Sequence, residues 1–102
     1  FPYTTLFRSF TDDFEPDFVF LEKSGADYLA EREIIGVAID SLGIERNHPG
    51  HETHKILFSK GITIIEGVRL KEIKEDEYFM CALPLKIKGV DGAPARIVLI
   101  KE

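Results

Sequence analysis

The segment His51–Glu66 reads HETHKILFSKGITIIE and joins a short helical pattern to a β-branched run through Gly61. A helix of about six residues starting at His54 covers roughly 9 Å at ~1.5 Å per residue. After the glycine turns the chain, the strand Ile62–Ile65 returns over a greater distance, because each strand residue covers ~3.3 Å. The spacing therefore predicts that the side chains of His54 and Glu66 end at the same level on neighbouring elements.

An imidazole and a carboxylate that converge in this way are ligand types that divalent transition metals prefer. On spacing alone, a competing interpretation stays open, with His54 solvated at the start of a helix and Glu66 in a surface ion pair. His48, His51 and His54 also recur at intervals of three, but Pro49-Gly50 interrupts any continuous helix through them. We therefore interpret His48 and His51 as solvated loop residues.

Along the whole chain, the order of helical and strand patterns predicts an α/β fold, with a mixed β-sheet and packed helices. Pro84 lies inside a strand pattern, which indicates an edge strand or a bulge. The predicted elements are a strand or extended segment at Phe18–Leu21, a helix of roughly ten residues from Ser24, a strand buried on both faces at Ile34–Ile39, a helix at Lys55–Lys60 capped by Thr53, a buried strand at Ile62–Ile65, one helical turn at Leu70–Ile73, and two further strands at Tyr78–Ile87 and Ala95–Ile100.

Composition excludes several classes of function. The 102 residues make at most one domain, and a net charge of −5 without a Lys/Arg cluster argues against nucleic-acid binding. No apolar run approaches the ~20 residues of a membrane-spanning helix, so we expect no membrane partner. The single cysteine, Cys81, has no internal disulfide partner, and a reducing cytoplasm is the expected compartment.

The first nine residues, Phe1–Ser9 (FPYTTLFRS), match the translation of a widely used short-read sequencing adapter. Such a segment is excluded from fold reasoning because it is not native. The chain also lacks an initiator methionine. We therefore expect residues 10–102 to be the C-terminal fragment of a single, longer domain.

Two other side chains are candidate functional groups. Asp40 follows a predicted strand, where α/β sheets commonly carry functional groups, but an acceptor for the amides of the next turn is an equally good interpretation. Cys81 lies between Met80 and Ala82, and no base is evident beside it. We interpret Cys81 as a small core residue rather than a nucleophile.

Two long segments, Gly36–Val68 and Ala82–Ile100, are similar to the C-terminal half of the cyclase family of metal-dependent hydrolases. This family includes the bacterial kynurenine formamidases (arylformamidases) and the isatin hydrolases. Three pieces carry the resemblance: Gly-x-x-Ile-Asp-Ser, the unit His-x11-Glu, and the closing Leu-Pro-Leu-Lys…Asp-Gly-Ala-Pro-Ala-Arg. The order and spacing of the three pieces together are specific, although no single piece is.

The resemblance implies a swivelling β/β/α domain that assembles into homodimers or homotetramers and holds zinc or manganese. It also implies that His54 and Glu66 are metal ligands. The family's other ligands and its catalytic histidine belong to an earlier motif, His-x-Gly-Thr-His-x-Asp-x-Pro-x-His, which this chain lacks. The resemblance thus assigns half of a metal site and no catalytic or substrate-binding residue.

The function that the resemblance implies is hydrolysis of a formamide or cyclic amide, a small-molecule substrate of the kind met in tryptophan catabolism. We expect the longer protein to be the enzyme and this chain alone to be inactive. The alternative is a small, non-enzymatic α/β domain that binds a partner through an open sheet edge.

Overall fold

The computed structural model describes residues 16–102, and the predicted non-native segment lies outside them. Within the described part, the chain divides after Glu72 into two compact units. The first unit contains two helices and a parallel pair of strands, and the second contains an antiparallel pair. In chain order the elements are α1 (Lys23–Glu31), β1 (Gly36–Ala38), α2 (Glu52–Ser59), β2 (Thr63–Ile65), β3 (Phe79–Pro84) and β4 (Ala95–Ile100).

In the first unit, β1, α2 and β2 form a strand–helix–strand unit. Parallel strands need a crossover between them, and α2 supplies it. β1 and β2 pair in the register Gly36↔Thr63 to Ala38↔Ile65. The ladder continues past the strand ends, because the Ile39 N–H donates to the Ile65 carbonyl oxygen over 2.9 Å. The carboxyl ends of both strands therefore lie side by side.

The core of this unit lies between the two helices and one face of the strand pair. Leu57 of α2 is fully buried, and Ile62 and Ile44 are nearly so. The buried cluster consists of Leu21, Ala26, Ile39, Ile44, Leu57 and Ile62. The prediction that Ile34–Ile39 is buried on both faces is wrong, since Gly36 and Ala38 are exposed and Ile35 is 88% exposed.

Among the described residues, Phe18–Leu21 pairs with no strand, which favours the lead-in alternative over a strand. The Leu21 N–H donates to the Ile44 carbonyl oxygen over 2.7 Å. The Arg46 guanidinium donates twice to the Phe18 carbonyl oxygen, over 3.0 and 2.8 Å. These long-range bonds hold the loop Leu42–Gly50 against the core.

The predicted cap of α2 is wrong. The helix begins earlier than predicted, and its N-cap residue is His51, whose side chain makes no capping bond. Thr53 instead lies in the first turn, where its buried hydroxyl donates to the Leu21 carbonyl oxygen over 2.9 Å. Thr53 thus ties the helix to the preceding segment. The predicted turn at Leu70–Ile73 is not helical either.

The second unit is a β-hairpin. β3 and β4 pair from Phe79↔Ile100 to Pro84↔Ala95 without a bulge. Each strand of this two-stranded sheet is an edge strand, so Pro84 lies in an edge strand, which is one of the two predicted alternatives. Cys81 is half-buried opposite Val98, so its predicted core position is wrong.

The α/β class is confirmed, since residues 16–102 form two helices and both a parallel and an antiparallel strand pair. The two pairs form separate two-stranded sheets. Neither α1 nor α2 has the length and apolar character that crossing a membrane would demand.

Candidate metal centre

Glu66 is positioned by the carboxyl ends of the parallel strands. It directly follows β2, and the next residue, Gly67, donates its N–H to the Ser41 carbonyl oxygen over 3.0 Å. The Glu66 carboxylate turns toward the loop after β1, where its Oε1 accepts the Ile44 N–H over 3.0 Å. Gly43 lies beside it, and a Cβ there would come within 4.0 Å of Glu66 Oε1. The carboxylate is therefore held by backbone on one side and open on the other.

His54 is positioned by α2, which ends in a well-formed C-terminal cap. The Ile62 N–H donates to the Leu57 carbonyl oxygen and the Gly61 N–H donates to the Phe58 carbonyl oxygen, both over 3.0 Å. This bond pair is the Schellman motif, and Gly61 adopts the left-handed conformation it requires (φ +67°). The cap fixes where α2 stops and where β2 starts. It therefore sets the distance between His54 and Glu66.

The structure brings the two predicted side chains together. His54 Nε2 lies 3.7 Å from Glu66 Oε1, and both side chains are about one-third exposed. Metal bonds of ~2.0–2.2 Å at a tetrahedral angle place two donor atoms about 3.4 Å apart. One nitrogen and one oxygen donor at this separation fit a shared zinc or manganese ion. Their role as ligands remains a prediction.

Glu45 is a functional candidate that the sequence did not reveal. Its side chain is only 3% exposed. One carboxylate oxygen, Oε1, accepts a hydrogen bond from His54 Nδ1 and another from the His54 backbone N–H, the latter over 3.3 Å. Burial raises the pKa of Glu45, but the hydrogen bonds from His54 outweigh burial and hold this pKa below its usual value. Backbone N–H donors at the start of α2 surround the carboxylate, which fits its ionised form, a group that only accepts hydrogen bonds.

His48 and His51 lie around the same carboxylate. The Nδ1 atom of each is 3.8 Å from a Glu45 oxygen, which is beyond hydrogen-bonding distance. Both side chains are about half exposed, as expected for loop histidines. Glu45, His51 and His54 nevertheless offer three donor atoms within 4.8 Å of one another. They form a second possible ligand group that shares His54 with the predicted pair.

Other sequence candidates lie outside this arrangement. Among residues 16–102, the Asp40 side chain makes no hydrogen bond or ion pair and is not in the three-donor group. Ser41 is fully buried, and its hydroxyl finds no partner within the described residues. Cys81 lies in the hairpin of the second unit.

Comparison with known proteins shows which proteins this chain is similar to. No protein-family model matches the chain. Cyclase-like protein 3 of Arabidopsis thaliana is 33% identical over 94 residues, which are 90% of this chain and 35% of that protein. A kynurenine formamidase of Paracidovorax citrulli is 32% identical over 72 residues, or 70% of this chain and 33% of that enzyme.

The fold agrees with the sequence comparison. A solved structure described as a potential metal-dependent hydrolase with cyclase activity superimposes with a TM-score of 0.82 at 56% identity. The match covers 89% of this chain and 45% of that one. The chain spans about a third of the two curated relatives named above and less than half of the solved structure.

In sequence and in fold, the chain is homologous to part of these cyclase-like and metal-dependent hydrolase proteins. Proteins named cyclase-like protein and kynurenine formamidase are among its homologues, which confirms the resemblance inferred from the three sequence pieces.

Proposed function

We propose that the whole protein to which this chain corresponds is a metal-dependent hydrolase of a formamide or cyclic amide, and that His54 and Glu66 supply two of its metal ligands. The observation that carries the proposal is the 3.7 Å separation of His54 Nε2 and Glu66 Oε1. Homologues named kynurenine formamidase support an aryl formamide as the substrate class. The metal is a divalent ion, zinc or manganese.

When bound, such an ion lowers the pKa of a bound water toward ~7 and polarises a carbonyl oxygen. The residues of this chain would hold the ion by presenting donor atoms in fixed orientations. Glu66 presents a carboxylate oxygen fixed by the Ile44 N–H, and His54 presents Nε2 while Nδ1 is bonded to Glu45. We assign no catalytic acid or base to this chain. The remaining ligands and the proton-transferring group come from the rest of the whole protein.

Further features of the proposal concern the whole protein. We propose that it acts in the cytoplasm, that its substrate is a small molecule from tryptophan catabolism, and that it assembles as a homodimer or homotetramer. We also propose that residues 1–9 are not native and that residues 10–102 are the C-terminal fragment of one domain. The chain alone is then inactive as a hydrolase and binds metal weakly, because two ligands make only half of a site.

The test uses the whole protein with His54→Ala or Glu66→Gln. His54→Ala removes the nitrogen donor, and Glu66→Gln replaces an anionic oxygen with a neutral amide oxygen, which is a weaker ligand. Metal content and kcat/KM for an aryl formamide therefore fall together, the latter by more than about a hundredfold. Elemental analysis of the purified protein gives the metal content. Glu52→Gln is the matched control, since Glu52 is an exposed carboxylate in the first turn of the same helix. Full metal content in both site variants would reject the assignment.

A second candidate function rests on a different observation. The hairpin exposes large apolar side chains on one face, including Phe79, Leu83 and Ile100. A small α/β domain that binds a partner through this face or through an open strand edge would show the same pattern. The two candidates differ in metal content: the binding domain predicts none in the whole protein, and the hydrolase predicts a stoichiometric divalent ion.

A further inference from the structure

Glu45 is a charged residue whose side chain is unexpectedly buried. A buried ionised carboxylate costs several kcal/mol unless partners compensate it. The loop Leu42–Gly50 nevertheless carries this carboxylate inward, with a side chain only 3% exposed. By contrast, the Glu66 side chain is 36% exposed. The burial of Glu45 therefore calls for specific partners, and most of these lie on α2.

The first partners are backbone donors at the start of α2. The first N–H groups of a helix have no acceptor within the helix. His51, at the N-cap, supplies no side-chain acceptor. The N–H groups of Thr53 and His54 instead face the Glu45 carboxylate. Glu45 thus acts as a cap supplied from outside the helix, and the helix dipole favours its negative charge.

The remaining partner is the His54 ring. An ionised carboxylate accepts but does not donate, so the hydrogen bond at Nδ1 requires the proton to be on that nitrogen. In a neutral imidazole the other nitrogen, Nε2, then carries the free lone pair. Nε2 is the ring atom that lies 3.7 Å from Glu66 Oε1. The contact with Glu45 therefore selects both the tautomer and the orientation that a metal ligand at this position needs.

We propose that Glu45 is a positioning residue that fixes His54 as the Nδ1–H tautomer and directs Nε2 toward Glu66. The proposal rests on the proposed function in that the ion would be held by His54 and Glu66. Fixed outer partners of this kind raise metal affinity by about ten- to hundredfold. A mere capping role would leave the tautomer of His54 and its affinity for metal unchanged.

The experiment measures the tautomer directly, in the metal-free chain. Two-dimensional ¹H–¹⁵N spectra of the His54 ring are recorded for the wild type, Glu45→Ala and Glu45→Gln, at a pH where titration of the same signals shows the imidazole to be neutral. The wild type is expected to be predominantly Nδ1–H. Glu45→Ala is expected to shift the population to Nε2–H, and Glu45→Gln to give a mixture, because an amide both accepts and donates.

Glu45→Gln keeps the volume and one acceptor oxygen, so it reports on the proposal even if Glu45→Ala does not fold. Glu52→Gln is the control for loss of a carboxylate near the same helix end, and it is expected to keep the wild-type tautomer. A second measurement titrates each variant with Zn²⁺ and follows the His54 ring signals. Both Glu45 variants are expected to lose about ten- to hundredfold in affinity.

The outcomes separate this proposal from the proposed function. A wild-type His54 ring that is predominantly Nε2–H would overturn the positioning role, and so would a tautomer and a Zn²⁺ affinity that are both unchanged in Glu45→Ala; either result leaves the metal site intact. A tautomer that depends on Glu45 supports the positioning role. Full metal content in the His54→Ala and Glu66→Gln variants of the whole protein would reject the metal site, while the tautomer assignment stood.

Discussion

His51 starts α2 in a left-handed backbone conformation (φ 46°, ψ 42°) that few residues other than glycine adopt. It also belongs to the group of three donor atoms formed with Glu45 and His54. These two properties are separable, because glycine keeps the backbone conformation and removes the imidazole. The residue thus offers a test between the two possible ligand groups.

We predict that His51→Gly leaves Zn²⁺ affinity within about threefold of the wild type, because the ion is held by His54 and Glu66. The free energy of unfolding should change by less than about 1 kcal/mol, since relief of left-handed strain offsets the greater chain entropy of glycine. Zn²⁺ titration and urea unfolding measure the two quantities. A loss of affinity as large as that of His54→Ala would instead place His51 in the ligand set.

The sequence predicted His54 and Glu66 but did not reveal Glu45, and the reason is physical. His54 and Glu66 are placed by regular elements, whose rise per residue is known in advance. Glu45 lies in a loop whose path depends on contacts distant in the chain, such as that of Arg46 with the Phe18 carbonyl oxygen. Such contacts leave no periodic signal. A glutamate in a loop is ordinarily solvated.

At the scale of elements, the junction between α2 and β2 controls the candidate site. Gly61 holds the left-handed position of the Schellman motif, and no atom lies within 4 Å of where its Cβ would be. A side chain at this position therefore meets no clash. The cost of a substitution comes from the backbone conformation alone.

We predict that Gly61→Ala destabilises the first unit by on the order of 1 kcal/mol, the cost of placing an L-residue in the left-handed region. Gly92→Ala is the matched control, because Gly92 also has open space around its Cβ position but no positive φ. The control should be neutral or slightly stabilising. Thermal unfolding followed by circular dichroism measures both variants, and equal effects would contradict the backbone argument.

The sequence predicts the bounds of an element well where a strong local signal marks its end. Gly61 stops α2, and Ala95–Ile100 matches β4 residue for residue. The start of α2 was missed because Thr53 resembles an N-cap in sequence, yet its hydroxyl bonds to the Leu21 carbonyl oxygen instead. A tertiary contact decided this case.

At the scale of the whole molecule, several large apolar side chains of the described residues are exposed. In the hairpin, Phe79 is 65% exposed and Leu83 is 63% exposed, and the strand register places both on one face with Val98 and Ile100. A two-stranded sheet also leaves an open edge on each strand. The apolar run Ile34–Ile39 predicts burial on both faces, but Ile35, Gly36 and Ala38 are exposed in the described part of the chain.

We predict that the chain self-associates through this hairpin face. Sedimentation velocity at increasing concentration should show oligomers for the wild type. Phe79→Glu should shift the chain toward monomer, because a charge then faces the apolar contact. Val90→Glu is the control, since it makes the same kind of change at an exposed apolar residue outside the strands. A wild type that stays monomeric throughout would contradict this prediction.

We propose that His54 and Glu66 hold one divalent ion between them. A Mn²⁺ titration of the chain, followed by NMR, is the direct test of this claim. A paramagnetic ion broadens the signals nearest to it. We predict that substoichiometric Mn²⁺ broadens the His54 and Glu66 side chains and the Ile44 amide first, and that His54→Ala and Glu66→Gln each abolish this effect. Broadening confined to the acidic residues Glu75–Glu77, with His54 and Glu66 unaffected, would contradict the claim.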